Sequence, residues 1–110
     1  MAKFIIKGGK KLSGSIALTG NKNSALKLIP AALLGNSPST LTNVTGIRDV
    51  EVLIQIIEKL GAKVTRDGAT LSIDPKGLSS YELDPDLSTR IRASVVLAAP
   101  LLVKFGKAVV

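Results

Sequence analysis

The sequence predicts an α/β fold in which helices pack against a sheet. Three observations lead there. Three times a helical run closes on an apolar residue and a glycine, at Leu34-Gly35, Leu60-Gly61 and Phe105-Gly106, and a strand pattern follows each time. Asp67-Gly68 lies between two short strand-like runs, which is a hairpin signal. Apolar residues make up 45% of the 110-residue chain, which suits one domain with one core and argues against disorder.

The elements follow in order. Lys3 to Lys7 reads as a strand bounded by Gly8-Gly9. Ser15 to Thr19 reads as a second, with Ile16 and Leu18 on one face, and the two could pair as a hairpin. A helix is expected from about Asn23 to Leu34, with Asn21 or Asn23 as its N-cap. Ala25, Leu28, Ile29, Ala32 and Leu33 would form its apolar face, Pro30 would kink or divide it, and Gly35 would cap its end. Ser39 to Val44 is a strand. The next helix is the clearest: Asp49 as N-cap, a buried stripe of Val50, Leu53, Ile54, Ile57 and Leu60, and Gly61 as its stop. Strands follow at Lys63–Arg66 and Thr70–Ile73. After a loop from Asp74 to Asp86, a third helix is expected from Ser88 or Thr89, with Ala93, Val96, Leu97 and Leu101 inward and Pro100 disturbing its last turn. Ala108-Val109-Val110 looks like the start of a further strand, so the chain is expected to be a piece of a longer protein.

Composition removes several chemistries. With no cysteine and no histidine, there is no disulfide, no thiolate nucleophile and no imidazole base. The net charge of +7 is uneven: residues 1–48 carry seven of the 15 basic residues and none of the eight acids. The field that attracts anions therefore belongs to the first half. A small basic module for nucleic acid is one reading, with binding that falls steeply as salt rises. Only Phe4, Tyr81 and Phe105 are aromatic, which leaves little for base stacking, so a phosphorylated or carboxylated small molecule fits at least as well. The first seven residues are too short and too charged for a signal peptide. The apolar run Val95–Val103 contains Pro100 and is far shorter than the roughly 20 residues of a membrane span. A soluble cytoplasmic protein is expected.

Two places could hold an anion. Lys22 stands where the second strand hands over to the first helix, beside Gly20, Asn21 and Asn23. A helix start presents unpaired N–H donors and a positive dipole end, and an ammonium would add to both. The bland alternative is an asparagine cap with a solvated lysine beside it. Arg90 and Arg92 open the third helix; residues two apart do not share a face, so one should turn inward and the other to solvent. A guanidinium suits a phosphate or carboxylate, although two surface arginines would look the same in sequence. Glu82, Asp84 and Asp86 lie in a loop and fit capping or solvation better than acid–base work.

The string Lys11-Leu12-x-Gly14-x-Ile16-x-x-x-Gly20-x-Lys22-Asn23-x-Ala25-Leu26, with Ala31 to Leu34, resembles the UDP-N-acetylglucosamine enolpyruvyl transferase (1-carboxyvinyltransferase) family. The likeness continues in register through Asp49-Val50, Leu60 to Val64, Arg92-Ala93-Ser94 and Pro100-Leu101. The sister shikimate-pathway enzymes typically read Lys-Ser where this chain has Lys22-Asn23. The resemblance implies an inside-out α/β barrel of two domains, only the first part of which is present here. Residues 1–21 would be strands of the second domain, and residues 22–110 the first α/β units of the first domain. It implies transfer of the enolpyruvyl group of phosphoenolpyruvate to the 3′-hydroxyl of UDP-N-acetylglucosamine with release of phosphate. That is the first committed step of peptidoglycan synthesis, and it needs no metal or organic cofactor. By resemblance Lys22 contacts phosphoenolpyruvate and is catalytic, Asn23 holds the sugar substrate and Arg92 contacts the UDP-sugar; Arg90 has no comparable role. The family's general acid, a cysteine or aspartate on a mobile loop, would lie beyond residue 110, so the chain alone is expected to be inactive.

Overall fold

The computed structural model describes residues 2–110. Four helices and three strands follow one another as α1 (Lys22–Ala32), β1 (Ser39–Leu41), α2 (Arg48–Lys59), β2 (Lys63–Asp67), β3 (Thr70–Asp74), α3 (Pro85–Ser88) and α4 (Ala98–Phe105). Short 3₁₀ segments at Pro75–Gly77 and Arg92–Leu97 precede α3 and α4 respectively. The strands form one antiparallel sheet in the order β1-β3-β2.

The hairpin sets the register. Asp67 pairs with Thr70, which leaves Gly68 and Ala69 as a two-residue loop with Gly68 at φ +57°. On β3, Leu71 and Ile73 alternate inward and are fully buried. They meet Ile29 and Leu33 near the end of α1, the stripe Val50, Leu53, Ile56 and Ile57 of α2, and Leu97 and Leu101. The predicted stripe of α2 is buried in full, including Ile54 and Leu60. Beyond α2, Gly61 turns the chain at φ +110°, and a Cβ there would overlap the backbone carbonyl of Gly77. A Cβ on Gly77 would strike the carbonyl of Gly61 in return, so only two glycines allow this backbone crossing.

Several expectations are corrected. No strand forms at Lys3–Lys7 or Ser15–Thr19; no helix or strand occurs in residues 2–21. Phe4, Ile6, Leu12, Ile16 and Leu18 are almost fully exposed. An isolated two-stranded hairpin is marginal in water, and nothing here covers its apolar face. Helix α1 starts at Lys22 with Asn21 as N-cap, its side chain accepting from Ser24 N–H at 3.1 Å. The helix stays in one piece through the buried Pro30 and is capped by Leu33 rather than Gly35. Leu26 takes the buried place expected of Leu28, which is exposed. Strand β1 ends at Leu41, before Asn43 adopts φ +55°.

The third helix is divided. Asp84 caps α3 by accepting from Leu87 N–H, Ile91 is extended, and a 3₁₀ segment leads into α4. Pro100 suits the start of α4: it is the third residue of that helix, within the first turn, where the missing N–H would have had no helical partner. Of the expected inward face, Leu97 and Leu101 are buried and Ala93 and Val96 only half-buried. Gly106 closes α4 in the left-handed conformation. The final strand signal is met by one parallel bridge, Glu82 to Val109, with Val109 N–H donating to Tyr81 O at 2.9 Å and Leu83 N–H to Val109 O at 3.0 Å.

Candidate functional site

The handover at Gly20–Lys22 is built against the loop after β1. A Cβ on Gly20 would overlap the carbonyl oxygen of Asn43 and lie 3.1 Å from Thr45 N, so glycine lets the two backbones touch. Beside this contact runs an open groove of about 390 Å³. Its walls include Asn21, Ser24, Leu28, Thr40, Thr42 and Asn43, which are polar or apolar but uncharged.

Helix α1 then begins with a cation and has no acid in its first turn. The dipole there already favours negative charge, so Lys22 raises the positive potential where a helix would ordinarily be neutralised. What answers it comes from elsewhere. Lys22 Nζ donates to Asp49 Oδ2 at 3.3 Å, with side chains 43% and 39% exposed. Asp49 was expected to cap α2, but that N-cap is Ile47, with no side-chain bond, and Asp49 lies in the first turn with Glu51. The first turns of α1 and α2 therefore converge on one ion pair. An exposed pair of this kind contributes only about 0–1 kcal/mol. It can be exchanged for a stronger anion at little cost.

Glu51 is held by Arg66 of β2. The same guanidinium donates from Nε to Gly68 O at 3.0 Å and from Nη2 to Val44 O at 3.4 Å. Sequence reading missed both Asp49 and Arg66 as parts of this corner. Nothing local marks them, because their partners lie 27, 15 and 22 residues away in the chain.

Asn23 is the second residue of α1 and is exposed. Arg92 is the first residue of the 3₁₀ segment that packs on α1. Its guanidinium is exposed and makes no hydrogen bond or ion pair among the described residues. Arg90 is exposed too, but its Nε donates to Asp86 O at 3.1 Å. The expected inward–outward split of the two arginines is thus replaced by one tethered and one untethered side chain, both outside the core. Lys22, Asn23 and Arg92 do not line the groove beside Gly20. Only Lys22 is brought onto a partner, and that partner is Asp49. Among the described residues no three acidic side chains gather as a metal cage would need, and no helix is long and apolar enough to cross a membrane.

Comparison with known proteins decides the family. The profile described as EPSP synthase (3-phosphoshikimate 1-carboxyvinyltransferase) matches residues 6–110. The chain belongs to this family. It is 46% identical over all 110 residues to UDP-N-acetylglucosamine 1-carboxyvinyltransferase 3 of Caldanaerobacter subterraneus subsp. tengcongensis, covering 26% of that protein. It is 49% identical over 106 residues, 96% of this chain and 25% of the relative, to UDP-N-acetylglucosamine 1-carboxyvinyltransferase of Bradyrhizobium diazoefficiens. Among solved structures, the enolpyruvyl transferase NikO from Streptomyces tendae superposes with a TM-score of 0.77 at 32% identity, over 90% of this chain and 23% of that one. The fold is therefore that of the enolpyruvyl transferases, as the resemblance in sequence implied. The chain spans about a quarter of the length of the curated relatives it matches.

Proposed function

We propose that the enzyme carrying this chain transfers the enolpyruvyl group of phosphoenolpyruvate to the 3′-hydroxyl of UDP-N-acetylglucosamine and releases phosphate. The observation that carries this reading is the 46–49% identity, over nearly the whole chain, to relatives named for that sugar nucleotide. In the reaction the sugar hydroxyl gives up its proton as its oxygen adds to C2 of phosphoenolpyruvate, and a proton adds to C3. The tetrahedral adduct then loses phosphate from C2 and a proton from C3, and the double bond re-forms. No metal or organic cofactor takes part in this scheme. It would commit the sugar nucleotide to peptidoglycan in the cytoplasm, and so bear on cell shape and division.

Each residue then has a task. Lys22 exchanges the Asp49 carboxylate for an anionic oxygen of phosphoenolpyruvate, a stronger charge-assisted partner than a half-exposed carboxylate. Asn23, on the next position of the same turn, binds the sugar through its amide. The untethered guanidinium of Arg92 reaches the UDP-sugar. Residues 1–21 belong with a second domain, which would cover the apolar side chains exposed in this chain, such as Phe4, Ile16 and Leu18. The general acid comes from outside these 110 residues, and the chain alone is inactive.

The test is phosphate release from phosphoenolpyruvate. The full-length enzyme should release it with UDP-N-acetylglucosamine and not with shikimate 3-phosphate; the reverse preference assigns the chain to the sister reaction instead. The 110-residue chain should release none with either acceptor, and turnover by it would refute the need for an outside acid.

A further inference from the structure

We infer that Arg66 is a positioning residue for the Lys22–Asn23 site; the inference rests on the reading of that site given above. Two things locate the Lys22 ammonium. One is the backbone seat of Gly20 on Asn43 and Thr45, two residues before the lysine. The other is the Asp49 carboxylate that holds its charge. Arg66 fastens both. Its Nη2 donates to the carbonyl of Val44, the residue between Asn43 and Thr45. Val44 N–H in turn donates to Ala69 O at 2.8 Å, in the hairpin loop that Arg66 also grips through Gly68 O. Its Nη1 pairs with Glu51, two residues after Asp49 in the same turn of α2. One planar fork thus ties the loop under Gly20 and the helix start bearing Asp49 to the same edge strand.

Arginine suits this place because its donors diverge in a fixed plane and reach three acceptors on different elements at once. A lysine keeps the charge but offers one compact ammonium. Half-exposed, the Arg66–Glu51 pair contributes little to global stability. Its larger effect is expected in geometry, where a displacement of about 1 Å remote from the chemistry can cost 10²-fold in rate.

The experiment uses the full-length enzyme with Arg66→Met, Arg66→Lys and Glu51→Gln, each alone and with Lys22→Ala. Two quantities are read: kcat/KM for phosphoenolpyruvate, and the labelling rate of Lys22 by an amine-selective acylating reagent, with Lys27 on the same helix as the internal standard. Arg66→Met should lower kcat/KM by about 10- to 100-fold, and Arg66→Lys should recover only part of it. In the Lys22→Ala background the same change should have no further effect, because what Arg66 positions is gone. Lys22 labelling should change severalfold relative to Lys27. Equal losses in both backgrounds, or unchanged relative labelling, would overturn the inference; should Arg66→Met fail to fold, Glu51→Gln removes the charge from one arm alone, leaving an amide oxygen that can still accept, and is judged by the same criteria. If the wild-type enzyme transfers no enolpyruvyl group while Lys22 labelling still follows Arg66, the functional reading falls and the positioning role stands.

Discussion

Ile16 and Leu18 alternate with small and polar residues, as Leu71 and Ile73 do on β3. The first pair is 87% and 85% exposed and the second is fully buried. The difference lies in what stands opposite. Leu71 and Ile73 lie on the central strand of the sheet, with α1 and α2 over one face. Residues 2–20 have neither a pairing strand nor a covering helix. Alternation states which face a strand would bury; it does not supply the surface that buries it.

The sharpest way to break this contrast is to truncate one side chain in each region. Leu53→Ala removes a fully buried group from the centre of α2 and should cost about 2–5 kcal/mol in denaturant unfolding of the 110-residue chain. Ile16→Ala in the same chain should stay within about 0.5 kcal/mol of wild type. In the full-length enzyme Ile16→Ala should become clearly destabilising, because a second domain would then cover it. An equal cost for both changes in the 110-residue chain would mean that residues 2–20 pack on the core after all.

At the border between the regions the effect moves from stability to activity. Lys22→Ala should lower enolpyruvyl transfer by the full-length enzyme about 100-fold or more, the size of losing one preorganised charge at a reacting group. The melting temperature should hardly change, since the Lys22–Asp49 pair is half-exposed. Near-normal turnover would reduce Lys22 to a neighbour of the Asn21 cap.

Legibility followed the same division. Helix α2, the β2–β3 hairpin and the glycine stops at Gly61 and Gly106, though not at Gly35, could be read because each depends on residues close in sequence: a 3.6-residue stripe, a tight turn at Gly68, a left-handed cap. The third helix is divided where the sequence suggested one piece: a proline costs a helical hydrogen bond in a last turn and none in a first turn, so Pro100 fits the start of α4 rather than its end. At the site, Lys22, Asn23 and Arg92 stood out by residue type and by resemblance. Asp49 and Arg66 did not, since their roles exist only once α1, α2 and β2 have been brought together.

A smaller perturbation locates the border itself. Gly20→Ala forces a Cβ into the carbonyl of Asn43, and the backbone there has to give way. Overpacking of this kind costs about 1–3 kcal/mol, and here it would also displace the start of α1. Gly8→Ala has nothing within 4 Å to meet and should be silent. If Gly20→Ala proves as silent as Gly8→Ala by thermal unfolding, the seat of the handover on the Asn43 loop is not held in solution.

The smallest effect separates the regions by charge. Residues 2–20 contain no acid, so acid-sensitive stability must come from the packed part. There, Asp84 accepts from the Lys59 ammonium at 2.6 Å and from Leu87 N–H, and these bonds hold its carboxyl below the ordinary aspartate value of 3.8. The ionised form is thus favoured in the folded chain, so its contribution is present above pH 3.8 and disappears as pH falls through the lowered folded value. Asn at this position can still cap α3, so Asp84→Asn removes the charge interaction and leaves the cap. The variant should be slightly less stable than wild type at pH 7, and the gap should close as the solution is acidified well below 3.8. A gap that stays constant across that range would show that the α2–α3 contact owes nothing to the Lys59–Asp84 pair.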